Sequence, residues 1–148
     1  MTIKRMDNVL IVVQDIELVK AFFTKLGMDL AGETIVSGDW VDKVLGLKGV
    51  SNKIAMMQTP DGHNQIELAE FISPLSAKAE NKNTPVNKLG IRRIMFAVDN
   101  IDETLSNLAQ FNVSLVGEIA KYNNLYRLCY IRGPEDILIG LAEQLDNG

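Results

Sequence analysis

Few side chains in this sequence are suited to acid–base, nucleophilic or metal chemistry. The 148 residues include one histidine, His63, and one cysteine, Cys129. A lone cysteine cannot form an internal disulfide, and a single imidazole excludes any site that needs two or three histidines. Zinc fingers and disulfide-stapled scaffolds are therefore excluded, and a reduced intracellular setting is expected.

Both residues also have a plain structural interpretation. His63 falls in the turn Asp61-Gly62-His63-Asn64, where an exposed polar residue is ordinary. Cys129 lies in a segment with the alternation of a strand, where a buried thiol behaves as a small hydrophobic side chain. We expect a turn residue and a core residue rather than a catalyst in either place.

The overall charge argues against two classes of partner. There are 15 basic and 19 acidic side chains, a net charge of −4, and no cluster of Lys and Arg that would attract nucleic acid. No apolar run approaches the roughly 20 residues that cross a bilayer, and the N-terminal residues lack the layout of a signal peptide. We expect a cytoplasmic protein without a nucleic-acid or membrane partner.

An internal repeat organises the elements that must position any site. At one fixed shift, without a gap, Val13 corresponds to Val98, Ile16 to Ile101, and Gly32-Glu33 to Gly117-Glu118. A second match relates residues 60–70 to residues 134–143. The sequence therefore predicts a duplicated module.

The periodicity gives each module the order strand, helix and three strands. The first module spans residues 1–72 and includes an insertion at 38–50 with helical spacing; a linker at 73–88, with a helical turn at 75–79, leads to the second module at 89–148. In the first module strands are predicted at 8–13, 28–35, 53–58 and 65–71, with a helix between Asp15 and Gly27. In the second, strands are predicted at 92–98, 113–120, 126–132 and 137–141, with a helix at 101–111.

Two such modules, with Asp61-Gly62 ahead of Ile66-Glu67-Leu68, resemble the vicinal oxygen chelate superfamily. That superfamily includes glyoxalase I, bleomycin-resistance proteins, fosfomycin-resistance enzymes and extradiol dioxygenases. The stretches 90–98 and 130–141 carry the resemblance in the second half. It implies an α+β fold in which two tandem βαβββ modules form half-barrels around one cavity.

The resemblance also implies four metal-ligand positions, on the first and last strand of each module. They are occupied here by Asn8, Glu67, Arg93 and Gly140. Glu67 is a good oxygen donor and Asn8 a weak one, whereas Arg93 is positively charged and Gly140 has no side chain. We therefore expect no tightly bound metal, and a divalent cation is disfavoured as a cofactor.

If Arg93 and Glu67 face the same cavity, Arg93 is interpreted as an organic stand-in for the cation, paired with Glu67. The alternative is that this pair is a structural remnant of a lost site. Trp40 is either a lid or an anchor of the insertion, and Tyr126 and Tyr130 share one face of a strand, lining the cavity or packing in the core. The predicted substrate-binding set is Asn8, Trp40, Met57, Glu67, Arg93, Tyr126 and Tyr130.

Two classes of function fit these residues. The first, which we favour, is a protein that binds a small, partly apolar or anionic molecule in the cavity without a tightly bound metal. The second is a lyase, isomerase or dioxygenase-type enzyme, with Glu67 as general base or metal ligand and Arg93 stabilising an enolate-like intermediate. A homodimer is expected because half-barrel sheets leave exposed edges.

Overall fold

The computed structural model describes residues 2–78 and 82–146. The chain divides into two compact units, Met1–Lys78 and Ala79–Gly148. Each unit contains one mixed sheet and a helix that follows its first strand, in the order that the repeat predicts. The limits that the sequence suggests for modules and linker stay a prediction.

The first unit has a four-stranded sheet with strand order β1-β4-β3-β2. Strands β1 and β4 are parallel, and the other neighbours are antiparallel. Helix α2 is the predicted insertion. The elements are β1 (Val9–Val12), α1 (Ile16–Leu26), β2 (Asp29–Ser37), α2 (Asp39–Leu45), β3 (Ser51–Gln58) and β4 (Gln65–Ser73).

Helix α1 begins and ends where its sequence dictates. The Asp15 carboxylate accepts a hydrogen bond from the Leu18 backbone N–H at 3.1 Å, which caps the first turn. Gly27 ends the helix with φ of 127°, a left-handed conformation that favours glycine. Phe22 and Phe23 are fully buried and pack edge to face, and each such side chain contributes about 1.5–3 kcal/mol.

The second unit repeats this plan with a less regular third segment. Its strand order is β5-β9-β8-β6, and β7 also pairs with β8. Strands β5 and β9 are parallel, like β1 and β4. The elements are β5 (Arg93–Val98), α3 (Ile101–Asn107), β6 (Ser114–Leu115), β7 (Ala120–Tyr122), β8 (Tyr126–Arg132) and β9 (Leu138–Gln144).

Three local predictions were wrong. The strand expected at 113–120 is two short strands, because more residues separate Leu115 from Ala120 than separate their partners on β8, and the excess bends out of the ladder. The helix expected at 101–111 ends at Asn107, and a 3₁₀ turn follows. The turn expected at 75–79 is not formed by residues 75–78, and Ala79 lies outside the described residues.

A glutamate on the last strand fixes the helix in each unit. Glu70 Oε1 accepts from the Ile16 backbone N–H at 3.0 Å, and Glu143 Oε1 accepts from the Ile101 backbone N–H at 2.8 Å. The first N–H groups of a helix have no partner inside it, and a negative charge there also complements the helix dipole. We call these two contacts the carboxylate staples.

A basic side chain on the neighbouring strand completes each staple. Lys53 Nζ lies 3.8 Å from Glu70 Oε2, and Arg127 Nη1 lies 3.3 Å from Glu143 Oε1. Arg127 also contacts Asp102 Oδ2 at 3.0 Å, at the start of α3. Each staple therefore identifies the sheet face that its helix covers.

Replacing Glu143 with Ala should lower the free energy of unfolding by about 1–3 kcal/mol, because a buried N–H loses its acceptor and Arg127 loses a partner. Glu70→Ala should cost less, since the Glu70 side chain is 25% exposed against 12% for Glu143. Urea titration measures both. The exposed Glu118→Ala serves as control and should change stability by no more than about 0.5 kcal/mol; equal effects in all three variants would contradict the staple.

Candidate functional site

The open face of the second sheet lies opposite α3. Side chains alternate along β9, so that Ile139, Leu141 and the staple Glu143 face the helix. Gly140 therefore lies on the other face, in register with Met95 and Tyr130. We define the second open face by five residues: Arg93, Met95, Tyr126, Tyr130 and Gly140.

Arg93 and Tyr130 form a pair on this face. Arg93 Nε donates to the Tyr130 hydroxyl oxygen at 2.5 Å. The guanidinium carbon also lies 5.4 Å from the centre of the Tyr130 ring, within the range of a cation–π contact. Tyr130 therefore holds one edge of the guanidinium, and the two terminal nitrogens of Arg93 remain for other partners.

Gly140 leaves room for Met95 and Arg93 on this face. A Cβ at this position would lie 2.6 Å from Met95 Cε and 3.4 Å from Arg93 Cδ. Both side chains extend across the strand where a side chain of residue 140 would otherwise stand. The position that the resemblance assigned to a metal ligand is thus covered by a methionine and an arginine.

The open face of the first sheet is defined by the same alternation. Glu33 accepts a hydrogen bond from Lys20 of α1, and Glu70 accepts one from the first N–H of that helix. Both therefore lie on the helix side of the sheet. Glu67, in register with Met56 and Leu10, lies on the opposite face. Asn8 lies one residue before β1 and is exposed. We define the first open face by five residues: Leu10, Val12, Ile54, Met56 and Glu67.

Two predicted binding residues lie elsewhere. Met57 is fully buried on the helix side, in register with Ile66, so it is a core residue and not part of the binding set. Its neighbour Met56 lies beside Glu67 instead. Trp40 is 60% exposed on α2, so it does not anchor the insertion in the core, and its role as a lid stays a prediction.

The other reactive side chains lie outside both open faces. Cys129 is buried on the α3 side of β8, and burial raises the pKa of its thiol, which favours the unreactive protonated form. His63 is exposed in its turn, where its backbone N–H donates to Asp61 Oδ1 at 3.0 Å. The Thr59 hydroxyl and this N–H lower the pKa of the Asp61 carboxyl.

The donor chemistry does not fit a divalent metal. Within the described parts of the chain, no group of three or more His, Cys, Asp or Glu side chains lies close enough to hold a metal ion. In the second unit, the two positions that the resemblance implies carry a cation and no side chain, and Met95 fills the space above Gly140.

Sequence reasoning missed three features of these faces. Met56 and Met95 share the faces of Glu67 and Arg93, but this depends on the register between strands, which the sequence does not specify. Asn52 is only 5% exposed on β3, and its side-chain oxygen has no hydrogen-bond partner. The packing against Gly140 has no sequence signal at all.

Comparisons with known proteins agree with this architecture. The model of the Glyoxalase/Bleomycin resistance protein/Dioxygenase superfamily matches residues 5–141. The chain belongs to this superfamily. The predicted family and fold class are thereby confirmed. The comparison with curated proteins finds no match.

Solved structures with a similar fold cover nearly the whole chain. A glyoxalase family protein from Bacillus cereus is 49% identical, with a TM-score of 0.93 over 99% of this chain and 97% of that one. TnmS3, an antibiotic binding protein from Streptomyces, is 18% identical, with a TM-score of 0.61 over 97% and 98%. FosX, a fosfomycin resistance protein from Listeria monocytogenes in complex with Mn(II) and sulfate, is 14% identical, with a TM-score of 0.59 over 96% and 93%.

The helices of this superfamily member are short. No helix among residues 2–78 and 82–146 has the length and apolar character to cross a membrane.

The donor set predicts that added Mn²⁺, Ni²⁺ or Zn²⁺ leaves the melting temperature unchanged. A site with a Kd of about 10 μM would add about 2.7 kcal/mol of stability at about 1 mM metal, which a thermal melt detects easily. The control is the same melt with a chelator. A clear increase in melting temperature that Glu67→Ala removes would contradict the donor-set argument.

Proposed function

We propose that the chain binds a small, partly apolar or anionic molecule through its open sheet faces, without a tightly bound metal. The observation that carries this proposal is the second open face. It combines an arginine held by a tyrosine with an adjacent methionine, and a second tyrosine lies farther along the same face. A few polar groups set among apolar and aromatic side chains are the usual composition of a small-molecule site.

The first open face supports the same proposal. Leu10 and Val12 are nearly half exposed, and Glu67 and Met56 lie beside them in the sheet. An exposed apolar patch with one charged group is suited to an amphipathic ligand. The fold is compatible with such a role, since TnmS3 is an antibiotic binding protein.

A thermal-shift screen tests the binding proposal. The panel contains small aromatic and aliphatic carboxylates together with their neutral amides, and we expect a subset to raise the melting temperature of the wild type. Arg93→Ala should remove the shift for anionic members. The matched control is Arg5→Ala, which removes an exposed arginine that pairs with Asp7 outside both faces.

Mass spectrometry of each stabilising compound after incubation separates binding from turnover. Recovery of the compound unchanged is expected. A product that forms with wild type and not with Glu67→Gln would favour the lyase, isomerase or dioxygenase alternative. A panel in which no compound shifts the wild-type melt would refute the binding proposal.

We also propose that the chain forms a homodimer. Strand β2 is an edge of its sheet, nine residues long, with Leu30 and Ile35 about half exposed. Exposed edges of this length promote pairing with another strand. Light scattering after gel filtration at micromolar concentration should give twice the 16.4 kDa chain mass, and a monomer mass would disprove it.

A further inference from the structure

Gly140 has a steric role that is separate from backbone freedom. Its φ lies outside the left-handed region, so the strand conformation itself would accept any L residue. What the glycine provides is space, because Met95 Cε would lie 2.6 Å from a Cβ at this position. Strand β9 thus has a gap across which Met95 and Arg93 extend.

The remaining hydrogen-bonding capacity of Arg93 lies at one edge of its guanidinium. Nε is used by Tyr130, and the Tyr130 ring lies near the guanidinium carbon. Among the described residues of the second unit, no carboxylate pairs with the terminal nitrogens of Arg93. By contrast, Arg127 pairs with Asp102 and Glu143, and Arg132 pairs with Asp136.

That free edge matches one class of acceptor best. The two terminal nitrogens of a guanidinium present parallel N–H groups in a plane, which suits the two oxygens of a carboxylate. A phosphate dianion would need a second cation, and Arg132, the arginine in the same row of the sheet, is already neutralised by Asp136 at 3.1 Å.

We propose that Tyr130 positions Arg93 to bind the carboxylate of a ligand whose apolar or aromatic body lies against Met95, for which Gly140 leaves room. The inference rests on the proposed small-molecule function and names its ligand class. Arg93 and Met95 are the residues that touch the ligand. Tyr130 acts through Arg93, and Gly140 acts through Met95.

Titration of ¹⁵N-labelled protein with benzoate, benzamide and phenylphosphonate tests the ligand class. Benzoate should bind at least about tenfold more tightly than benzamide, because a charge-assisted bidentate pair replaces a neutral contact. The Arg93 Nε–Hε resonance should move on addition of benzoate. Equal affinity for benzamide, tighter binding of phenylphosphonate, or no binding of benzoate would each overturn the inference.

Three variants test the positioning. Arg93→Lys keeps the positive charge but loses the two parallel N–H donors of the guanidinium, so its benzoate affinity should fall about tenfold. Tyr130→Phe should weaken benzoate and shift the Arg93 Nε–Hε resonance in the free protein, which a purely structural role would leave in place. Gly140→Ala should weaken benzoate by displacing the end of the Met95 side chain. Gly117→Ala is the matched control, since nothing lies within 4 Å of a Cβ there.

The two proposals fail in different ways. If Gly140→Ala and Tyr130→Phe bind benzoate as Gly117→Ala does, the positioning role is wrong. If neutral compounds from the thermal-shift panel bind while benzoate does not, the carboxylate class is wrong and the small-molecule function stands. Tyr130→Phe removes a single oxygen, so it keeps the test decisive even if Gly140→Ala does not fold.

Discussion

The carboxylate staple is the interaction on which the rest of each unit depends. Glu70 and Glu143 stand at matching places in the repeat, and each accepts a hydrogen bond from the first N–H of the helix that follows the first strand. Because the last strand also pairs with the parallel first strand, each glutamate connects both strands to the helix. Because a charged acceptor near a helix N-terminus is favourable and a buried N–H without one is costly, the helix is fixed to one face of the sheet. The duplication has preserved this contact even though the basic partner is Lys53 in one unit and Arg127 in the other.

Fixing the helix to one face leaves the other face available. In β9 the residues that meet the helix are large and buried, and the residue between two of them is the glycine that accommodates Met95 and Arg93. The same alternation in β4 places Glu67 opposite the staple side. Core packing and the proposed ligand contacts therefore fall on alternate residues of the same strand, so a substitution on the open face can be made without disturbing the core.

The parts of this structure that the sequence predicts are those with a local or repeated signal. The spacing of Val19, Phe22 and Phe23 predicts α1, and the shift between the halves predicts the second module from the first. The choice of Met57 over Met56 for the binding set had no local signal behind it, because a one-residue difference in strand register reverses which of them faces the core. The division of the 113–120 segment into two strands likewise depends on how many residues of β8 lie opposite. Arg93 and Gly140 could be named individually from the resemblance, but the contact between them through Met95 is visible only in three dimensions.

Arg93 and Gly140 are coupled by this packing. A Cβ at position 140 would lie 2.6 Å from Met95 Cε and 3.4 Å from Arg93 Cδ, so it would displace the methionine, while the glycine leaves a gap that Met95 and Arg93 cover. A metal-ligating side chain at position 140 alone would require Met95 to move, and one at position 93 alone would remove the cation that Tyr130 holds. A fixed guanidinium also differs from a metal in kind: it cannot exchange ligands or accept an electron pair, and it binds anions through N–H groups of set geometry. The residue types at these two positions are therefore consistent with the proposed binding of an anion and do not suit coordination chemistry.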